Sequence, residues 1–267
     1  MSENTKVTAK QTEKKKFPTE FIDLPSKGWF YPEGHPLASG QVELKYMTAR
    51  EEDILTSANL IRKGKVIDTL INALLVTPVT YDDILIGDKN AIMIGARILG
   101  YGKDYDIDYK CPSCGETNKL TIDLTGLNNK EIDFDAFPKN KNEFEFELPI
   151  TKNIITWRFM DGKSEKALEG ELKGLAKFAS KDGPGKDLTT RLKHQIVALN
   201  GNRDTKAIRE FIDNELLAQD SLKLRNHMRE SAPDVLTAFN FECESCGYTE
   251  TVDMPIDAGF FWPSSRT

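Results

Sequence analysis

The period of the hydrophobic residues changes several times along this chain, and each change marks a predicted element. Gln41-Val-Glu-Leu-Lys-Tyr-Met47 alternates as a strand does. Thr48-Ala-Arg-Glu51 then reads as a capping box, with the glutamate reaching back to the cap N–H. The helix it opens carries Ile54, Leu55, Ala58 and Ile61 at spacings of three and four, and Gly64 closes it. Val66, Ile67, Leu70, Ile71, Leu74 and Leu75 repeat the spacing until Pro78. The pattern predicts a helical hairpin from Thr48 to Val76, packed through Ile54, Leu55, Ile61, Leu70, Ile71 and Leu74. A short helix is expected over Tyr81 to Leu85. A longer one, Asp88 to Leu99, places Ile92, Gly95, Ala96 and Leu99 on one face, where small residues admit a close neighbour.

Strand-like alternation returns in Tyr105-Asp-Ile-Asp-Tyr109 and Asn118-Lys-Leu-Thr-Ile-Asp-Leu124, and again in Phe239-Asn-Phe-Glu242 and Tyr248-Thr-Glu-Thr-Val-Asp253. Between them, Glu143 to Leu148 and Asn153 to Met160 predict a further hairpin. Ala167, Leu168, Leu172, Leu175 and Phe178 then form a helical stripe, which Asp182-Gly-Pro-Gly185 interrupts. Helices are expected over Leu188 to Leu199, Thr205 to Ala218 and Ser221 to Met228.

Two aromatic clusters stand outside these periods. From Phe17 to Gly28 prolines and glycine predict irregular backbone, followed by Trp29-Phe30-Tyr31-Pro32. Such a cluster either plugs its own core or anchors another subunit, so Trp29, Phe30 and Tyr31 are candidate partner-binding residues. Phe260, Phe261 and Trp262 follow the last hairpin. Consecutive strand residues face opposite ways, so at least one of these three is expected to be free for a neighbour. The first sixteen residues contain three consecutive lysines and almost no large apolar groups, which predicts a disordered tail.

The candidate chemistry lies in the cysteines. All four fall into two copies of one motif, Cys111-Pro-Ser-Cys114-Gly115 and Cys243-Glu-Ser-Cys246-Gly247. A C-x-x-C-G turn points backbone N–H groups at the thiolates while glycine supplies the positive φ, so each copy offers half of a tetrahedral site. Disulfides are the alternative. Nothing here resembles a secretory signal, however, and a C-x-x-C pair bridged to itself would tie no distant segments together. Cys111, Cys114, Cys243 and Cys246 are therefore expected to bind one structural Zn²⁺ per chain, with no coordination position left for water or substrate.

The expected fold is α+β: zinc-ribbon-like β-hairpins sharing a four-cysteine metal site, with an N-terminal helical segment and a helical insertion between the knuckles. In residue terms this is a tail 1–16, an irregular and helical segment 17–103, a split ribbon 104–130 and 235–258, an inserted hairpin and helical segment 131–234, and an aromatic tail 259–267.

Of the 267 residues 29% are charged, with a net charge of -6 and the two signs interspersed, so neither nucleic acid nor a membrane surface is an expected partner. The longest apolar stretches fall short of the roughly 18 to 20 residues that span a bilayer. Catalytic patterns are weak. Asp182-Gly-Pro-Gly-Lys186-Asp187 departs from a P-loop at Ser180 and Asp187. His35, His194 and His227 adjoin no nucleophile motif, and solvated helix faces are expected for the latter two. Asp82 and Asp83 read as helix-cap charges. No enzymatic activity is expected.

Several stretches resemble the T4-type bacteriophage baseplate hub subunit family: Leu24-Pro-Ser-Lys-Gly28 with Tyr31-Pro32, then Tyr46 to Leu55, then Gly87-Asp-Lys-Asn-Ala-Ile-Met-Ile-Gly-Ala-Arg-Ile-Leu-Gly-Tyr-Gly102 and the first Cys-Pro-x-Cys-Gly. The second C-x-x-C-G fits the same pattern. The resemblance implies a structural component of the central baseplate of a contractile phage tail, present in multiple copies in the virion and made in the host cytoplasm. Its implied partners are other baseplate hub and tail proteins. The alternative is an assembly factor, or chaperone, that helps the hub form and then leaves. A zinc-ribbon nucleic-acid binder would need a basic stripe that the sequence lacks.

Overall fold

The computed structural model describes residues 17–178, 187–254, 256 and 258–261. The expected tail 1–16, the Asp182–Gly185 break and Trp262 lie outside the described residues.

The chain mixes helices with small antiparallel sheets. Strand β1 (Thr19–Asp23) pairs with β2 (Gln41–Lys45), with Phe21 opposite Glu43. Residues 17–28 were expected to be irregular throughout. The strand within them is paired residue for residue with β2, and its Ile22 seats on Gly95, where a Cβ would come within 2.7 Å of the isoleucine. The helical hairpin breaks into α1 (Ala49–Thr56), α2 (Ala58–Lys63) and α3 (Val66–Leu74). Ser57 leaves the helix at ψ 102 and its hydroxyl accepts from Leu60 N to cap α2. Leu55, Leu70, Ile71 and Leu74 are buried as expected, but the break turns Ile61 outward, to 51% exposure.

A 3-10 turn, Tyr81–Asp83, replaces the expected short helix and leads into α4 (Ile86–Tyr101). The hairpin β3 (Asp104–Lys110) and β4 (Thr117–Asp123) follows. Strands β5 (Phe144–Glu147) and β6 (Ile154–Trp157) then pair as the alternation predicts. After α5 (Gly162–Phe178) and α6 (Asp187–Gln195) the chain enters β7 (Ile196–Leu199), which completes the order β5-β6-β7. The helix expected to Leu199 thus stops at Gln195, since Ile196 and Val197 are β-branched and β6 offers an open edge. Helices α7 (Thr205–Asn214) and α8 (Ala218–Ser231) precede the last hairpin, β8 (Ala238–Glu242) with β9 (Thr249–Asp253).

The segment between the two hairpins starts and finishes at one point. Lys130 N donates to Asp234 O at 2.8 Å and Leu236 N to Asn128 O at 2.8 Å, around an antiparallel bridge of Asn129 with Val235. One hydrophobic core runs from Leu24 through α3, α4, the three-stranded sheet and α8 to Phe261.

A polar cluster is built into that core. Asp88, in the first turn of α4, has no solvent exposure and accepts from Ser26 N (2.9 Å), Ser26 Oγ (2.7 Å) and Tyr31 Oη (2.7 Å). Tyr31 Oη in turn accepts from Leu85 N at 3.0 Å. Burial pushes the Asp88 carboxyl up to about 6 against the pull of these donors. The network ties the loop around Ser26 to the start of α4.

The candidate anchor aromatics are mostly used inside the chain. Phe30 is 1% exposed, its ring 4.8 Å from that of Phe159 and 5.5 Å from that of Phe144. Tyr31 is buried on Asp88, and Trp29 is half-buried with its indole N–H donated to Phe137 O at 3.1 Å. At the other end, Phe260 and Phe261 lie on a 3-10 turn, Ala258–Phe261, and both are 0% exposed. The strand argument required neighbours to face opposite ways. A turn of about three residues sets adjacent rings about 120° apart, so both reach one core. Phe30, Tyr31, Phe260 and Phe261 are therefore core residues, not free anchors.

Two outcomes are expected. Tyr31→Phe takes a donor from Asp88 and leaves the Leu85 N–H without an acceptor, which should cost about 2–4 kcal/mol in urea unfolding. The lost donor stabilised the charged carboxylate, so the variant raises the folded pKa of Asp88 further above its unfolded value of about 4. A raised carboxyl contributes stability at low pH that is lost as pH rises through the folded value, so the deficit should be larger at pH 7.5 than at pH 5. Phe260→Ala should cost about 3–5 kcal/mol in the same assay, as for a ring removed from a closed core.

Candidate metal centre

Each cysteine motif closes one hairpin, and the two knuckles share one hydrogen-bond pattern. Cys111 N donates to Glu116 O at 2.8 Å and Gly115 N to Cys111 O at 2.9 Å. Cys243 N donates to Tyr248 O and Gly247 N to Cys243 O at the same distances. Gly115 (φ 78) and Gly247 (φ 69) supply the left-handed residue that turns the chain back into the second strand. The first cysteine of each knuckle is buried and the second exposed.

The structure brings all four predicted ligands together. Their sulfur atoms lie within 4.8 Å of one another, with Cys111 Sγ 3.8 Å from Cys246 Sγ and Cys114 Sγ 3.7 Å from Cys243 Sγ. Both pairs cross between the knuckles, and both are far beyond the roughly 2.05 Å of a disulfide. A tetrahedral thiolate site with metal–sulfur bonds of about 2.3 Å has its sulfurs about 3.8 Å apart. The cluster thus has the size of such a site, and these cysteines could hold a metal ion.

Electrostatics point the same way. Burial opposes a thiolate at Cys243, but the N–H groups of Cys246 and Ser245 and the Asn118 amide outweigh it and bring the thiol down to about 6. At Cys114 the Glu116 N–H favours the thiolate, yet burial and the neighbouring sulfurs of Cys246, Cys243 and Cys111 carry it up to about 12. One anion is held comfortably here. Four need a cation among them, because like charges this close repel strongly.

The shell around the sulfurs was not anticipated. Asn118, 4% exposed on β4, donates its amide N–H to Cys243 Sγ at 3.5 Å and accepts from Glu244 N at 3.0 Å. In the reverse direction Tyr109 Oη donates to Glu250 Oε1 at 2.8 Å, and the Tyr109 ring meets Phe241 at 4.6 Å. Asn118 and Glu250 occupy the same place in their motifs, the fourth residue after the second cysteine. That shared offset was a readable signal. Tyr109, Leu120, Phe239 and Val252 complete a small apolar cluster around Cys111, Phe241 and Cys243.

The other polar candidates are occupied elsewhere. His35 Nδ1 accepts from Leu37 N at 3.2 Å, and His194 Nε2 lies 2.9 Å from Glu171. His227 was expected on a solvated face but is stacked 4.8 Å from the Phe146 ring and 5.4 Å from that of Trp157, because α8 lays this side against the sheet. Asp83 accepts from Thr80 N at 2.9 Å as a cap, and Asp82 pairs with Lys166 at 2.8 Å.

Asn118→Ala should weaken metal binding about 10- to 100-fold in chelator competition, as loss of an outer-shell partner does, while leaving the hairpins folded.

Among the described residues no helix is long and apolar enough to cross a membrane. Neither curated proteins nor solved structures match this chain. A family model described as T4 bacteriophage base plate protein matches residues 19–262, a span that takes in both knuckles, the segment between them and the Ser26–Asp88 network. The chain belongs to the T4 bacteriophage base plate protein family.

Proposed function

We propose that this chain is a non-enzymatic structural subunit of the central baseplate hub of a contractile-tailed phage, with one Zn²⁺ held by Cys111, Cys114, Cys243 and Cys246 in a zinc ribbon split by residues 131–234. The observation that carries this reading is the four-sulfur cluster, which brings together two hairpins, Asp104–Asp123 and Ala238–Asp253, that lie far apart in the sequence. A four-thiolate shell offers no open position to a substrate, so the metal's contribution is to cross-link, and metal binding becomes folding free energy. Family membership supplies the baseplate. Its neighbours are then other hub and tail proteins. Synthesis in the reducing host cytoplasm suits thiols that are free to take zinc.

The test separates metal from assembly. Protein purified without chelators should carry one zinc per chain, and Cys243→Ser should lose it and melt well below the wild type, more than any exposed substitution does. Quantitative mass spectrometry of purified baseplates should find the chain in fixed stoichiometry with hub proteins. Its absence from baseplates, with abundance in infected cells, would favour the assembly factor instead.

A further inference from the structure

A cavity of about 470 Å³ opens between the start of α4, the exit of β6, α6 and the last turns of α8, away from the cysteine cluster. This lies within the roughly 300–1,000 Å³ of sites that enclose a ligand. Its floor is apolar, formed by Leu85, Phe159, Leu192 and Met228, all buried. Its rim carries three arginines, Arg191 on α6 and, one helical turn apart on α8, Arg225 and Arg229. Leu188, 44% exposed, stands at the mouth.

The walls are preformed. Gly87 passes so close to Pro233 that a Cβ there would lie 1.7 Å from the proline carbonyl oxygen. Ile86 N donates to Met160 O at 3.0 Å, and Asn90 Nδ2 holds Asp234 Oδ1 at 2.8 Å. The two carboxylates beside the cavity are already engaged: Glu165 with Lys89 (2.7 Å) and the Tyr81 hydroxyl, Asp234 with Asn90 and Val235 N. Among the described residues no carboxylate lies within ion-pair distance of Arg191, Arg225 or Arg229. Among the described residues the Arg225 Nε is buried with no hydrogen-bond partner. Around this one apolar cavity, in a chain of net charge -6, the three arginines find no carboxylate counter-charge among the described residues.

We propose that this cavity is a docking site for an acidic–apolar peptide segment of a neighbouring baseplate subunit. One large apolar side chain fills the floor, and flanking carboxylates pair with Arg191, Arg225 and Arg229. Planar guanidinium groups suit that task because each can take a carboxylate in a two-point grip. An apolar anchor ringed by arginine is also where interface energy concentrates. The occupant's chemistry is read from the cavity; its origin in a baseplate neighbour rests on the function proposed above.

The test uses the full chain in phage-infected cells, with the photo-crosslinker p-benzoylphenylalanine replacing Leu188. Purified baseplates are irradiated and the crosslinked peptide is sequenced by mass spectrometry. The expected product is a segment of another subunit with a large apolar residue flanked by at least two Asp or Glu. Arg191→Glu, an exposed change that should leave the melting temperature unaltered, should lower the crosslink yield at least tenfold, and Arg225→Gln should lower it as well. A crosslink to a basic or uncharged segment or to nucleic acid, no crosslink in baseplates that contain the chain, or full yield with Arg191→Glu would each overturn the proposal. If the chain is missing from baseplates, the structural-subunit reading fails. The same irradiation of complexes isolated on the tagged chain then reads the cavity separately, and the chemistry of the crosslinked segment decides.

Discussion

Four sulfurs within 4.8 Å of one another is the constraint on which the architecture turns. Such a group is electrostatically unstable as thiolates alone and poorly satisfied as thiols, so it makes sense as a place for a cation. Its position multiplies its effect. The knuckles sit at the tips of hairpins whose bases converge where Asn129 meets Val235, so everything from Lys130 to Asp234 is a loop closed at the base by backbone bonds, and a metal held by the four sulfurs would close it at the tip as well. Closing so long a loop in the unfolded chain carries a substantial entropic cost, and a metal cross-link at the tip would relieve part of it.

The second fixed point is Asp88. A buried carboxylate is tolerated only when it is fully hydrogen-bonded, and three donors from Ser26 and Tyr31 meet that need. This explains several residues that carry the family resemblance. Ser26 and Tyr31 bind the carboxylate, Gly87 lets the backbone of α4 approach Pro233, and Gly95 makes room for Ile22. These residues form a mutually dependent joint between the N-terminal loop and α4, and Arg97 extends it by donating to the carbonyls of Gly102 (3.0 Å) and Asp104 (3.3 Å) at the start of β3. The cysteine hairpins are thus attached through α4 to the same core that the N-terminal loop caps.

What was legible in the sequence were features written as local patterns. The cysteine spacing gave all four clustered residues, and strict alternation gave both cysteine hairpins and the β5–β6 pair. Features decided by distant partners were hidden. Ile196 to Leu199 reads equally as helix end or strand until β6 is present to pair with it. Ser57 breaks a helix that its apolar spacing would have continued. Phe260 and Phe261 turn inward because the backbone there is a 3-10 turn, a distinction that three adjacent aromatics do not encode. Asn118 was visible only by comparing the two motifs with each other, and the arginine-rimmed cavity draws its lining from four separate stretches of chain.

X-ray absorption at the zinc edge on protein purified without added metal tests the central claim most directly. The account predicts a single shell of four sulfur scatterers at about 2.3 Å with no oxygen or nitrogen in the first shell. A shell with light-atom ligands, or a metal-free protein whose cysteines have formed disulfides, would contradict it.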